Sequence, residues 1–235
     1  MDTPSHPPAI TATGSGARKR LLEAAMDIFG RYGYDAATTR MIARLAGANI
    51  AAIPYYFNGK EGLYKAVVRH IVDLIAAQLE ETWREIAGRS FDGPEAKQEA
   101  VELLEQLVVR FIRFMIGSPE APRVSRIILR EQLYPTAAYD LIFSGFMERT
   151  LEAFARLIMV ITKSRSERAA KLRSMAIVGQ VLAFRVARET IVRSLDLEGY
   201  SDSETAEIDG IIMEHTRFIT AGLGKDASRP VEERP

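Results

Sequence analysis

Apolar residues recur at intervals of three and four along almost the whole chain, which is the period of helices that bury one face. The chain has no convincing alternating strand pattern and no Asn-Gly turn joining two such runs, the signals of a β-hairpin. The pattern therefore predicts an all-α protein. Its helices are expected at about 17–32, after Thr38, and at about 50–57, 60–88, 94–116, 123–132, 136–162, 166–194 and 203–222.

The first three helices are short, and a tight Gly47-Ala48-Asn49 corner separates the second from the third. Gly33 is expected to stop the first helix in the left-handed conformation, and Thr38 is a suitable N-cap for the second. Met41, Ile42 and Leu45 are expected to face inward from the second helix. Three such helices running into a long fourth one have the layout of a helix-turn-helix DNA-binding module.

A chain of 235 residues, 47% of them apolar, is long enough to bury one large core or a small module docked on a larger one, and we favour the second arrangement. We expect a flexible arm over 1–16, a DNA-binding domain over 17–65, a ligand-binding and dimerisation domain over 66–224, and a flexible tail over 225–235. No apolar run approaches the ~18 to 20 residues of a membrane span, and the first residues lack the pattern of a signal peptide. A cytoplasmic protein without membrane contact is therefore expected.

Several kinds of chemistry are disfavoured by composition. The absence of cysteine excludes disulfides, thiol nucleophiles and thiolate metal sites. His6, His70 and His215 lie far apart and outside zinc-binding spacings, so no metal site is expected. The chain has no Gly-rich phosphate loop, no nucleophile elbow and no closely spaced carboxylate and histidine set. We therefore expect neither an enzyme nor a bound cofactor.

The charge of the chain is balanced as a whole and uneven in detail. The formal net charge is zero, but residues 17–65 contain eight arginines and lysines against four acidic residues, a net +4, whereas the part beyond Leu197 is acid-rich. This distribution is expected if only the N-terminal module meets phosphate. The neutral total also permits an alternative, a helical adaptor whose N-terminal module binds protein.

Residues from Arg18 to about Val68 resemble the TetR family of bacterial transcription regulators, through the stretches FGRYGY, TTRMIARLAGAN and YYFNGKEGLY. Two further stretches, NIAAIPYYF and ILREQLYPTAAYDLIF, are similar to the CecR-like branch of that family. The resemblance implies a dimeric regulator whose C-terminal domain binds a small molecule. Binding would move the long fourth helix and change the spacing of the two DNA readers. A repressor released by its ligand is the expected function.

The N-terminal end of the third helix is the expected base-reading element, because such a helix lies in the major groove with that end toward base edges. Asn49 can hydrogen-bond a base edge or a phosphate, and Ile50 lies beside it. Ala51 and Ala52 permit close approach of the backbone and contact with thymine methyl groups. Pro54 departs from the aromatic residue more common in the family, and it could kink or shorten this helix.

Further DNA contacts follow from the resemblance. It implies that Arg40 reaches a base and that Thr39, Tyr55 and Lys60 hold phosphates, although Arg40 could be a solvated helix residue and Lys60 could merely begin the fourth helix. Tyr56 could either pack within the module or contact a phosphate. The complete set of expected DNA-binding residues is Thr38, Thr39, Arg40, Asn49, Ile50, Ala51, Ala52, Tyr55, Tyr56 and Lys60.

A group of aromatic residues and methionines at helical spacing could line the small-molecule site, although the same spacing is typical of an ordinary core. Its members are Phe111, Phe114, Met115, Tyr139, Phe143, Phe146 and Met147. Glu131, just before the Tyr134-Pro135 break, is a further ligand candidate. It could instead form a structural salt bridge with Arg126, Arg185 or Arg188.

The helix expected at 166–194 is apolar on nearly every side. Such a helix either lies in the centre of a core or also faces a second subunit. A homodimer suits a helix-turn-helix module, because palindromic half-sites on a double-stranded DNA operator need two readers. The candidate interface residues are Ile177, Val178, Val181, Leu182, Phe184 and Ile191.

Overall fold

The computed structural model describes residues 12–118 and 120–223, and every regular element within these ranges is helical. The helices are α1 (Ala12–Ala36), α2 (Thr39–Ala46), α3 (Ala52–Phe57), α4 (Lys60–Gly88), α5 (Ala96–Ile112), α6 (Ala121–Leu133), α7 (Tyr139–Ile142), α8 (Glu148–Thr162), α9 (Glu167–Val186), α10 (Arg188–Ser194) and α11 (Asp202–Leu223). Two π-helical turns, Arg113–Gly117 and Phe143–Met147, extend α5 and join α7 to α8. The all-α class expected from the sequence is confirmed.

The first helix is longer than expected at both ends. It begins at Ala12, so residues 12–16 of the expected flexible arm are helical, whereas 1–11 and the tail over 225–235 lie outside the described residues. Gly33 has the expected positive φ of 80° and interrupts the helix there, so the expected break at Gly33 is confirmed. Its ψ of 173° is extended and not left-handed, and a short further helical stretch follows the kink to Ala36.

Two long helices expected near the C-terminus are interrupted. The one expected at 136–162 begins at Tyr139, because the Thr136 hydroxyl accepts a hydrogen bond from the Ala138 N–H at 3.1 Å and forms a turn there. The one expected at 166–194 breaks at Ala187. There the Phe184 carbonyl, which a continuous helix would use for Arg188 N–H, accepts a 3.0 Å hydrogen bond from the Tyr200 hydroxyl.

The chain forms two compact units. Unit 1 contains the described residues up to Ile71 together with Arg126–Leu141. In it α1 packs against α2 and α3. Its core includes the fully buried side chains of Leu21, Phe29, Ile42, Ile53 and Leu63. The inward position expected for Leu45 was wrong, since 56% of this residue is exposed and the buried residues of α2 are Ile42, Ala43 and Ala46.

Unit 2 contains Val72–Ser125 and the described residues from Ile142 onward. In it α8 packs against both α5 and α9, and α11 packs against all three. Phe154, Leu157 and Ile158 of α8 are almost completely buried. Gly145, in the second π-helical turn, allows a close approach to α4, because a β-carbon there would lie 2.5 Å from Cγ1 of Val72.

Three helices contain residues of both units, because the boundaries fall within α4, α6 and α7. These helices connect the two units covalently. Across the described ranges, none of the helices combines the length and the apolar character needed to cross a membrane.

Candidate nucleic-acid interface

The corner between α2 and α3 is built from local capping interactions. The Thr38 hydroxyl accepts a hydrogen bond from Met41 N–H at 3.2 Å, which caps the start of α2 as the sequence predicted. Gly47 ends α2 in the left-handed conformation, with φ 56° and ψ 43°. The Ala48 N–H then reaches back to the Ala43 carbonyl at 3.0 Å, so the chain reverses within three residues.

Asn49 starts the recognition segment. Its side-chain oxygen accepts a hydrogen bond from Ala51 N–H at 2.9 Å, and its backbone carbonyl accepts from Ala52 N–H at 3.0 Å. This amide oxygen therefore acts as a helix cap, whereas only a contact to DNA was expected from the sequence. The next bond joins Ile53 N–H to the Ile50 carbonyl at 3.1 Å, which tightens the first turn.

Pro54 accounts for that tight first turn. It has no N–H to donate to the Ile50 carbonyl, and that carbonyl bonds Ile53 instead. Regular α3 is therefore only six residues long, and it ends at Asn58 in the left-handed conformation. The shortening that the sequence raised as an option is present.

The two sides of α3 differ sharply in exposure. Ile53 is 0% exposed and Phe57 is 6% exposed, so these residues attach α3 to the core of unit 1. On the opposite side Ile50 is 45% exposed and Tyr55 is 78% exposed, with Pro54 also exposed between them. The outer face of the recognition segment is thus an apolar ridge open to solvent.

Several cations around α3 have partners within unit 1. Lys60 Nζ donates to the Asp35 carbonyl at 3.2 Å and lies 4.6 Å from the centre of the Tyr34 ring. Arg20 Nε donates to the Ala46 carbonyl at 3.1 Å, and the Arg18 guanidinium lies 5.2 Å from the Phe57 ring. These contacts fix the positions of the three cationic side chains, which add positive charge to the module.

The structure brings all ten residues expected to contact DNA into unit 1, and none of them is buried. Thr38, Arg40, Asn49, Ile50, Ala51 and Tyr55 are exposed. Partly exposed are Thr39, Ala52, Tyr56 and Lys60. The Tyr55 and Tyr56 rings pack edge to face, with centroids 4.8 Å apart. The set is therefore available to an external partner.

The expected small-molecule residues are divided between the two units. Phe111, Phe114, Met115 and Phe146 of unit 2 are buried, and Phe143 is 41% exposed. Phe114, Met115, Phe143, Phe146 and Met147 fall in the two π-helical turns. Tyr139 and Glu131 belong to unit 1. The Tyr139 hydroxyl donates to Gln132 Oε1 at 3.4 Å.

Glu131 is 1% exposed and lies within a network of unit 1. Its carboxylate accepts hydrogen bonds from the Tyr64 hydroxyl at 2.5 Å, from Thr136 N–H at 3.0 Å and from the Thr136 hydroxyl at 2.9 Å. Burial and the hydrogen bond to Glu131 raise the pKa of Tyr64 above its ordinary value. Tyr64 was not predicted from the sequence, because its partner is 67 positions away.

The residues expected at a dimer interface lie on α9 and α10. Ile177, Val178 and Val181 are buried inside unit 2, whereas Leu182, Phe184 and Ile191 are partly exposed. The apolar surface that α9 leaves open comes instead from Leu172, Met175 and Val186, which are 60%, 48% and 63% exposed. On α11, Ile211 and Phe218 are also exposed.

Comparisons with known proteins agree with this architecture. Residues 21–67 match the family model for bacterial regulatory proteins of the tetR family. Residues 100–223 match the model for the C-terminal domain of the HTH-type transcriptional dual regulator CecR. The CecR protein of Shigella flexneri is 36% identical over 93% of this chain and 97% of its own length.

Other relatives share only one part or only the fold. The transcriptional regulator RutR of Escherichia coli K12 is 41% identical over 30% of this chain and 36% of its own. A transcriptional regulator from Saccharomonospora viridis, solved in complex with choline, has a TM-score of 0.58 at 18% identity. The alignment covers 86% of this chain and 96% of that one, and it shows a common fold.

These relatives are transcriptional regulators, not enzymes, as expected from the sequence. Proteins of this family bind DNA operators and small-molecule ligands. The chain is a transcriptional regulator of the TetR family and belongs to its CecR-like branch.

Proposed function

We propose that this regulator is a repressor that binds a palindromic operator as a homodimer and leaves it when a small molecule binds unit 2. The observation that carries the DNA-binding part is the outer face of α3. Ile50, Ala51, Pro54 and Tyr55 are exposed there, in a module of net charge +4. The second helix of a helix-turn-helix unit presents such a face to the major groove.

The ten exposed or partly exposed residues named above are the proposed DNA contacts. Arg40, on the first turn of α2, would reach a base edge or a phosphate. Thr39 and Tyr55 would contact phosphates through their hydroxyls. Lys60 would add its charge from the position fixed by Asp35 and Tyr34.

The proposed ligand site lies among the aromatic and methionine residues of the two π-helical turns in unit 2. π-Helical turns are frequent at functional sites, because the extra residue redirects the side chains around it. The same fold in the Saccharomonospora viridis regulator holds choline, which supports a small-molecule site in a protein of this architecture. Phe143, 41% exposed, would be the side chain that an entering ligand meets.

The effect of ligand binding in unit 2 would reach unit 1 through the helices that contain residues of both units. In unit 1, Glu131 of α6 is bonded to Tyr64 of α4, and Arg130 Nη2 donates to the Arg31 carbonyl of α1 at 3.0 Å. A shift of α6 would therefore be passed to α4 and α1 together. An allosteric regulator needs only about 1 to 3 kcal/mol of coupling of this kind.

The proposed dimer contact is the exposed apolar surface of α9 and α11. It consists of Leu172, Met175, Val186, Ile211 and Phe218. An apolar surface formed by two adjacent helices, with small residues such as Gly179 and Ala183 between the larger ones, allows helices of a second copy to approach closely. A two-fold axis through this surface would give the dimer two DNA-binding modules.

Fluorescence anisotropy with duplex DNA from the region upstream of the protein's own coding sequence tests the proposal. We expect tight binding that survives excess unrelated DNA and weakens steeply between two salt concentrations. A small-molecule screen on that complex would then identify compounds that lower the anisotropy. Weak binding, equal for all duplexes tested, would count against specific DNA recognition and favour the adaptor alternative.

A further inference from the structure

We propose that α3 reads its operator mainly through the 5-methyl groups of thymine, with Ile50 and Pro54 as the residues that determine specificity. This inference rests on the proposed DNA-binding function and names the chemistry that the recognition segment selects. It predicts that each operator half-site contains thymine near its centre. At those positions the protein would contact the 5-methyl group and not the hydrogen-bonding edge of the base.

Apart from the Tyr55 hydroxyl, the exposed side chains on the outer face of α3 are hydrocarbon. Positions 50, 51, 54 and 55 recur with helical spacing on the side opposite the buried Ile53 and Phe57. Ile50 is 45% exposed although it is one of the most apolar side chains, and Pro54 presents its ring beside it. Ala51 adds no functional group.

Three polar side chains near α3, those of Asn49, Lys60 and Arg20, already have partners within unit 1. The Asn49 side-chain oxygen holds Ala51 N–H at 2.9 Å, so the acceptor that an adenine amino group would need is used as a helix cap. Lys60 Nζ bonds the Asp35 carbonyl at 3.2 Å, and Arg20 bonds the Ala46 carbonyl. The recognition segment itself contains no arginine, so the guanine contact that arginine commonly makes is not available from α3.

Thymine offers the chemistry that matches this face. Each base pair presents donors and acceptors in the major groove, and thymine adds an apolar methyl group at its C5 position. The net +4 charge of the module provides attraction to the surrounding phosphates. Covering the Ile50 side chain with a methyl group removes apolar surface of both partners from water. A methyl contact of this kind changes affinity about fourfold.

A chemical double-mutant cycle tests the inference. The full chain is used to select duplexes from a randomised library, and each thymine of the selected core is then replaced in turn by uracil, which lacks the methyl group. We expect affinity to fall about fourfold at one or more positions of each half-site. Ile50→Ala should abolish the sensitivity to uracil at the thymine that Ile50 contacts and leave it unchanged at the thymine that Pro54 contacts. Pro54→Ala should have the converse effect.

Two controls separate methyl recognition from general effects. Uracil placed in the flanks outside the selected core should leave affinity unchanged. Leu45→Ala removes an apolar residue that is 56% exposed on α2 and lies outside the α3 face, so it should retain the full response to uracil in the core.

The outcomes distinguish this inference from the proposed function. A selected duplex that binds tightly but tolerates uracil at every core position overturns the methyl readout and leaves the DNA-binding proposal intact. The methyl readout is also overturned if Ile50→Ala and Pro54→Ala both keep the full uracil response. Failure to select any duplex above background overturns both proposals.

Discussion

The Tyr64 hydroxyl donates a 2.5 Å hydrogen bond to Oε1 of Glu131, which joins α4 to α6 within unit 1. Glu131 is 1% exposed, and Thr136 completes its surroundings with two further hydrogen bonds. A carboxylate can remain buried when donors satisfy its oxygens in this way. The pair therefore fixes the end of α6 against the helix that follows the recognition segment.

We expect Tyr64→Phe to lower the free energy of unfolding by about 1.5 to 3 kcal/mol, because it removes a donor from a buried carboxylate and keeps the ring. Urea denaturation followed by circular dichroism measures the change. Tyr55→Phe is the matched control, since Tyr55 is 78% exposed, and it should stay within about 0.5 kcal/mol of the parent. Equal losses for both variants would contradict a structural role for the Tyr64–Glu131 bond.

The same pair predicts a stability change in alkali. Burial, followed by the hydrogen bond to Glu131, raises the pKa of Tyr64 in the folded protein. Above about pH 10 the unfolded chain loses the tyrosine proton while the folded protein retains it, so unfolding is favoured as pH rises. We expect the free energy of unfolding to fall above about pH 10, and Tyr64→Phe to remove part of that fall. Tyr55→Phe should leave the pH dependence of the parent, which unfolding curves between pH 8 and 11 would reveal.

Gly145→Ala is expected to destabilise unit 2 by about 1 to 3 kcal/mol, because its β-carbon would lie 2.5 Å from Cγ1 of Val72 and must displace it. Gly88→Ala is the control, since no atom lies within 4 Å of the corresponding position at the end of α4. That variant should be neutral or more stable by up to about 1 kcal/mol. Thermal unfolding compares the stability of the two variants. A neutral Gly145→Ala would contradict the prediction and show that Val72 moves aside at little cost in free energy.

Arg40→Ala should weaken operator binding without unfolding the protein, because Arg40 is exposed on the first turn of α2. If Arg40 contacts a phosphate, the slope of log affinity against log salt should fall by about 0.9. If it contacts a base, the loss of about 1 to 3 kcal/mol should concentrate at one base pair. Arg168→Ala replaces an exposed arginine at the equivalent second position of α9 and should change neither quantity. Anisotropy titrations at several salt concentrations distinguish these outcomes.

Phe218→Asp should convert the proposed dimer to a monomer, because a charge would replace a side chain that is 81% exposed on the α11 surface. Affinity for a palindromic duplex should fall at least tenfold as the second reader is lost. Light scattering after size-exclusion chromatography measures the mass. Leu195→Asp is the control, since Leu195 is 65% exposed but follows α10 in the chain and belongs to neither α9 nor α11. An unchanged mass for Phe218→Asp would place the subunit contact elsewhere.

Local interactions made much of unit 1 predictable from the sequence. Thr38 caps α2 through a residue three positions away, and Gly47 reverses the chain because it adopts a left-handed conformation without steric cost. The spacing that buries Ile53 and Phe57 is the helical period itself. The family resemblance depends on these same short stretches, so the class, the module and its basic charge were all accessible without coordinates.

Only the tertiary structure decided which apolar residues face another element. Leu45 fits the apolar stripe of α2, but Ile42, Ala43 and Ala46 are the buried residues of this helix and Leu45 remains exposed. Ile177 and Val181 look like interface residues in the sequence and are buried inside unit 2, where α9 packs against α8 and other helices. Periodicity shows that a face is apolar but does not say what covers it.

Long-range hydrogen bonds could not be predicted from the sequence either. Tyr200 bonds the Phe184 carbonyl next to the break between α9 and α10, and Tyr64 bonds Glu131 across 67 positions. Such partners meet only after the chain has folded. The sequence by itself determined the all-α class, the Thr38 cap, the Gly47 corner and the charge of the DNA-binding module, because these depend on composition or on neighbours within a few residues. Which side chains met across the fold, and which stayed open to a ligand or a partner, depended on packing between distant segments.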